Sequence, residues 1–238
     1  MAVYEFKTRV SYDDVDENMM LTLRGTIGMM QEAAIIHSDL IGYSACNTEK
    51  TGVIWMLVRW RVRRISEAKW NENLIVRTWP RTMDRVTSER DFEIVDEKNR
   101  VIAIGESVWV LVSADTPRII RIPQHIAQAY DLTERKVFDT PVCEYPSDQG
   151  EEVYSGVVRK RDIDSNHHVN NRVYLDYANE GINNEQNGRF SEVRIHYRKQ
   201  LLLGETVKCL YQRNSLGCRV DVCSNNSADI RATVEFYK

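Results

Sequence analysis

Asp162-Ile163-Asp164-Ser165-Asn166-His167-His168-Val169-Asn170-Asn171 is the stretch on which the reading of this chain turns. Two of the five histidines stand side by side in it. Asp164, Asn166 and His168 follow one another at steps of two, so a carboxylate, an amide and an imidazole fall within five residues. Moving back 148 positions gives Asp14-Val15-Asp16-Glu17-Asn18-Met19-Met20, with the Asp and Asn kept and the histidines gone. At that shift Asp14, Asp16, Asn18, Arg24 and Glu32 meet Asp162, Asp164, Asn166, Arg172 and Glu180, five identities in 19 positions. Asn71-Glu72-Asn73-Leu74 also resembles Gly204-Glu205-Thr206-Val207, at a shift of 133. A duplicated module is expected, with one chemically equipped copy.

The order of elements repeats as well. In the first half, Tyr4–Ser11 reads as a strand and Asp13–Asn18 as a polar loop. Leu23–Leu40 reads as a helix ended by Gly42. Strands are expected at Val53–Arg64, Leu74–Arg81, Val86–Val95, Val101–Ser113 and Arg118–Ile122, then a helix at His125–Glu134. Within Val53–Arg64, Val58, Trp60 and Val62 alternate against Arg59, Arg61 and Arg63. The second half gives a strand at Glu152–Lys160, a loop at Asp162–Asn171 and a helix at Val173–Asn183. Four strands follow, at Ser191–Lys199, Thr206–Gln212, Cys218–Cys223 and Ala228–Tyr237. Each half is thus an α+β unit, one apolar helix against a curved antiparallel sheet. The expected domains are 1–137 and 151–238. Pro141, Pro146 and Gly150 mark 138–150 as a linker.

Composition excludes several classes. A formal charge of −3, spread along 238 residues, does not suit a nucleic-acid binder. No apolar run approaches the roughly 18 residues of a membrane span, and the N-terminus lacks the apolar segment of a signal peptide. A cytoplasmic protein is expected. Five cysteines without a CxxC pair fit neither a disulfide framework nor a zinc site. Reduced, buried thiols and no bound metal are expected. No glycine-rich phosphate loop is present, and no cofactor is expected.

Asp164, Asn166 and His168 precede a helix, whose first N–H groups are unpaired and carry partial positive charge. Such groups polarise a carbonyl while a neighbouring side chain activates water. His168 is suited to be the general base, and Asp164 to orient it or to act itself. Asn166 suits a role holding the water or the carbonyl oxygen. Asp and Asn before a helix also serve simply as caps and turn formers.

Asp164 to Tyr174, Asp-x-Asn-x-His-Val-Asn-Asn-x-x-Tyr, resembles the signature loop of the acyl-acyl carrier protein (acyl-ACP) thioesterases, plant-type enzymes and their bacterial relatives. The resemblance extends to the N-terminal Asp loop with Gln31-Glu32-Ala33-Ala34, the Trp-rich middle and the linker. It implies tandem hot-dog domains, each a long central helix wrapped by a sheet. It implies that Asp164, Asn166 and His168 hydrolyse a fatty acyl thioester with an activated water. The family carries a Glu, often followed by Cys, after a Tyr-Arg-Arg-like segment. Here that segment is Tyr197-Arg198-Lys199, so Gln200 and Leu201 hold those places. Gln200 cannot act as a base but can hold a water or a partner side chain. The first copy has Met20 in place of the base. The resemblance implies that it holds the acyl chain, with Met29, Met30 and Ala33 lining the site.

The expected partners are acyl carrier protein and the fatty acyl thioester, the chain being a monomer of tandem domains or a homodimer. The Arg59, Arg61 and Arg63 stripe and Arg159-Lys160-Arg161 are candidates for docking an acidic carrier. Rival readings are an acyl-CoA thioesterase, a hot-dog hydratase or dehydratase, and a non-catalytic acyl-binding or carrier-binding protein. The hydratase pattern Asp-x-Asn-Pro-x-His would need a Pro between Asn166 and His168, and none is there.

Overall fold

The computed structural model describes residues 2–116, 118–140, 150–182, 190–213, 215–225 and 229–238. Most of the expected linker, with Pro141, Cys143 and Pro146, lies outside the described residues. So do Asn183 and Ala228, each at one end of an expected element. The chain divides into two compact units, Met1–Thr140 and Pro141–Lys238.

The first unit contains β1 (Tyr4–Arg9), α1 (Leu23–Ile41), α2 (Thr48–Thr51), β2 (Val53–Arg64), β3 (Asn73–Met83), β4 (Thr87–Asp96), β5 (Val101–Ser113) and α3 (Gln124–Ala129). Its antiparallel sheet has the order β1-β3-β4-β5-β2. The second contains β6 (Glu151–Val157), α4 (Asn171–Glu180), β7 (Glu192–Tyr197), β8 (Thr206–Arg213), β9 (Gly217–Cys223) and β10 (Ile230–Tyr237). Its order, β6-β8-β9-β10-β7, is that of the first unit, strand for strand.

Local chemistry sets the ends of α1. The Thr22 hydroxyl accepts from Gly25 N–H at 3.0 Å, and Gly42 closes the helix in a left-handed conformation at φ 91°. Ile27, Met30, Ala33, Ala34 and His37 recur at helical spacing and are buried. Gly105 lets the helix approach β5. A Cβ there would stand 2.6 Å from the Met30 sulfur.

The sheet face beneath α1 carries Trp60 and Val62 of β2, Phe92 and Ile94 of β4, and Ala103 of β5, all buried. A bulge between Leu57 and Arg59 breaks the expected alternation of β2. Leu57, rather than Val58, is therefore buried in line with Trp60. The opposite face is covered by the segment after α3. Arg135 lies over the Trp79 ring at 4.5 Å, and its carbonyl accepts from Trp79 Nε1 at 2.8 Å. Phe138, Asp139 and Thr140, expected in the linker, belong to this first unit. The expected strand Arg118–Ile122 is a single bridge, Ile119 to Val112, and the expected helix His125–Glu134 is only Gln124–Ala129. His125 is exposed.

Candidate functional site

The loop from Asp164 to Val169 closes on itself. Asp164 N–H donates to the His168 carbonyl at 2.9 Å, and His167 N–H to the Asp164 carbonyl at 3.1 Å. Asn166 N–H donates to Asp164 Oδ1 at 2.8 Å. His167 takes the left-handed conformation, φ 62°, which turns the chain between the two histidines. His167 is exposed, whereas His168 is half-buried.

The first copy repeats this geometry without a histidine. Asp16 N–H donates to the Met20 carbonyl and Met19 N–H to the Asp16 carbonyl, both at 2.9 Å. Asn18 N–H donates to Asp16 Oδ1 at 2.9 Å, and Met19 stands at φ 62°. The Asp and Asn of both loops are therefore turn formers first. The imidazole of His168 is what the second loop adds.

Past the loop the correspondence moves to the shift of 133. Leu21 N–H donates to the Ala68 carbonyl at 2.8 Å, and Val169 N–H to the Leu201 carbonyl at 3.0 Å. Asn71 and Gly204 both have positive φ, 71° and 82°, and their N–H groups donate to Val10 and Val158. The bond from Val169 to Leu201 brings the Gln200 segment beside His168. Among the described residues, no hydrogen bond joins the side chains of Asp164, Asn166, His168 and Gln200 to one another; Asp164 Oδ1 accepts from the Asn166 backbone.

The supports of the loop come from α4 and from β10. Asn170 caps α4, its Oδ1 accepting from Arg172 N–H at 3.0 Å. The Tyr174 hydroxyl accepts from Leu201 N–H at 2.9 Å and donates to the Lys199 carbonyl at 3.4 Å, bracketing Gln200. Burial pushes the Tyr174 phenol up to about 12, so it stays protonated at neutral pH. One turn on, Tyr177 donates to Asp162 Oδ2 at 2.9 Å; burial and that carboxylate hold its phenol well above the ordinary range. Asp162 Oδ2 also accepts from Arg159 N–H at 2.7 Å, and its carbonyl from Asn170 N–H at 2.8 Å. From β10, Arg231 donates to the Gln200 carbonyl and to Glu205. Tyr177 and Arg231 were not singled out in the sequence. The signal for Tyr177 was its spacing of three from Tyr174, which puts both rings on one helix face.

The other candidates are placed as follows. Met29, Met30 and Ala33 are all buried on α1, with Met30 against Gly105 and Val62. Arg61 leaves the basic stripe. It is 2% exposed, lies over the Phe138 ring at 3.9 Å and donates to the Thr140 carbonyl at 2.7 Å. Arg159, Lys160 and Arg161 are exposed beside the loop. Burial pushes the thiols of Cys209 and Cys218 up to about 12 and that of Cys223 to about 11, which leaves them protonated and poor nucleophiles.

Residues 1–130 match the model of the acyl-ACP thioesterase N-terminal domain, and residues 146–238 that of the acyl-ACP thioesterase C-terminal domain. The chain belongs to the acyl-ACP thioesterase family. Among curated members, it is similar to oleoyl-acyl carrier protein thioesterase 2, chloroplastic, of Arabidopsis thaliana, 24% identical over 227 residues, 87% of this chain and 62% of that protein. It is 22% identical over 205 residues to the chloroplastic palmitoyl-acyl carrier protein thioesterase of Cuphea hookeriana, 79% of this chain and 49% of that protein. The chain thus spans less than two thirds of the length of these relatives.

Solved acyl-ACP thioesterase structures share the fold throughout. One from Bacteroides thetaiotaomicron superposes with a TM-score of 0.89 at 18% identity, over 99% of this chain and 97% of that one. The 12:0-ACP thioesterase from Umbellularia californica does so at 0.85 and 19%, over 100% and 97%. Like these acyl-ACP thioesterases, the chain has a tandem hot-dog, α+β fold.

Proposed function

We propose that this protein hydrolyses the thioester of fatty acyl-acyl carrier protein in the cytoplasm, releasing free fatty acid and ending chain elongation. The observation that carries the reading is the half-buried His168, standing on a loop whose twin keeps the whole turn and has Met20 instead. Membership of the acyl-ACP thioesterase family supports the same chemistry.

In this mechanism His168 takes a proton from water, which attacks the thioester carbonyl. Asp164, with Oδ1 engaged by Asn166 N–H, stabilises the imidazolium through its charge. Asn166, exposed at the tip, holds the water or the carbonyl oxygen. The first N–H groups of α4 lie next to the loop and favour the developing oxyanion. Gln200 is held beside the loop by Tyr174 and Arg231 and orients the water rather than accepting its proton. The thiolate leaves on the carrier and takes up the proton from His168. The first unit holds the acyl chain, with Met29, Met30 and Ala33 on its wall. Arg159, Lys160 and Arg161 meet the acidic carrier.

The test is hydrolysis across acyl-ACP chain lengths, with acyl-CoA of equal length beside each. Preferred turnover of the ACP esters, lost in His168→Ala, is the expected result. Equal turnover of CoA esters would sink the carrier-specific reading, and an active His168→Ala would sink the catalytic assignment.

A further inference from the structure

Among the described residues of the second unit, four large apolar side chains are exposed: Val157, Leu202, Leu203 and Leu216. Three of them meet at one end of the sheet. Val157 closes β6 and pairs with Thr206, the first residue of β8. Gly204 N–H donates to the Val158 carbonyl at 3.1 Å and Val158 N–H to the Glu205 carbonyl at 3.0 Å, so the turn before β8 lies against the end of β6. Leu216 stands at the other end of β8, before β9.

The turn holds its leucines outward. Leu201 is buried, and its carbonyl accepts from Val169 N–H of the His168 loop. Glu205 N–H donates to the Leu202 carbonyl at 3.1 Å, and Glu205 Oε2 accepts from Leu202 N–H at 2.9 Å. Gly204 takes the left-handed conformation that this turn requires. Leu202 and Leu203 are left 47% and 53% exposed. A tip fixed in this way has little freedom left to lose when a partner arrives.

Cations border it. Arg159, Lys160 and Arg161 follow Val158 directly and are exposed. Arg159 and Lys160 make no ion pair among the described residues; Arg161 lies 3.7 Å from Asp162 with 77% of its side chain exposed. The neighbouring acids are engaged. Asp162 is buried, Glu205 faces Arg231 at 3.2 Å and Asp229 faces Lys199 at 3.0 Å. The fold itself requires neither the leucines nor the cations. At the shifts of 133 and 148 the first unit has Lys69-Trp70 for the leucine pair, Arg9 for Val157 and Ser11-Tyr12-Asp13 for the three cations. An apolar centre with a charged rim is the anatomy of a protein docking face.

We propose that Val157, Leu202 and Leu203 form the apolar centre of the face on which an acidic acyl carrier protein docks, with Arg159, Lys160 and Arg161 as its rim. This deepens, and rests on, the reading that a carrier-bound thioester is the substrate. Charge complementarity argues for that occupant. So does position, because the bond from Val169 to Leu201 joins the turn to the His168 loop and a carrier seated there stands beside the base. A lipid surface of the same charge would offer His168 no thioester.

Calorimetric titration of the full-length protein with an acyl carrier protein lacking its prosthetic arm separates docking from the chemistry. Leu202→Ser with Leu203→Ser should weaken binding at least about tenfold and keep its salt dependence, and each single substitution should give part of that loss. Arg159→Glu with Lys160→Glu should weaken binding and flatten its salt dependence. An unchanged urea midpoint checks the fold of each variant. Carrier affinity untouched by the leucine substitutions would overturn the proposal. So would leucine-dependent sedimentation with phosphatidylglycerol vesicles by a protein that does not bind the carrier. A protein that binds the carrier through this face and hydrolyses no thioester refutes the hydrolase reading alone. One that hydrolyses acyl-carrier thioesters equally well with and without the leucines refutes the docking face alone.

Discussion

His167 and His168 are neighbours in different settings, one exposed and one half-buried. His167 supplies a left-handed turn that Met19 supplies in the other copy, a conformation that costs a non-glycine residue about 1 kcal/mol. His167→Gly should therefore keep turnover and raise stability by up to about 1 kcal/mol, read by urea denaturation. His168→Ala should lower kcat by about 10²–10⁴ with an unchanged urea midpoint, the range for loss of a general base. Asp164→Asn separates scaffold from charge, because an amide oxygen still accepts from Asn166 N–H. It should keep the fold, and lose turnover to the extent that the carboxylate acts on His168. The sequence showed the spacing of Asp164, Asn166 and His168 and that Asp and Asn could be turn formers. It did not show that three hydrogen bonds of this turn recur around Asp16, since a hydrogen-bond pattern has no letter of its own. Gln200 was reached only through the family resemblance. What holds it, Tyr174 and Arg231, comes from an adjacent helix and a distant strand.

At the scale of elements, periodicity located α1 and the long strands because each has one buried face. It failed where pairing decides. The bulge in β2 is set by the partner β5 and exchanges Val58 for Leu57. Arg118–Ile122 has strand-like residues but one bridging partner. Arg61 alternates with apolar residues as part of a basic stripe, yet Phe138 and Thr140 of the segment after α3 cover it. Close approach sets a further limit on β9. A Cβ on Gly217 would stand 1.8 Å from the Phe236 carbonyl oxygen, a backbone atom that cannot swing aside. Gly217→Ala should cost about 3 kcal/mol or more, seen as a large fall in the urea midpoint.

For the molecule as a whole, the buried acids that stay protonated bind its stability to alkaline pH. Tyr174 shifts from 10.0 to about 12, and Cys209 and Cys218 from 9.0 to about 12. Unfolded, these groups give up protons from about pH 9 to 10, while the folded chain keeps them. The stability these groups contribute should then fall as pH rises from about 9 and be fully lost beyond about 12, by roughly 2–3 kcal/mol for Tyr174 alone. Tyr174→Phe should flatten that part of the decline in denaturation curves taken across this range.

The lengths of α1 and α4, 19 and 10 residues, carry one more consequence. At the shift of 148, Glu180 at the end of α4 meets Glu32, so α1 runs on for nine residues past that point, about 13 Å at 1.5 Å per residue. His37 stands on that stretch. The two loops keep one turn and differ in a side chain, His168 against Met20, while the helices that follow them differ in length.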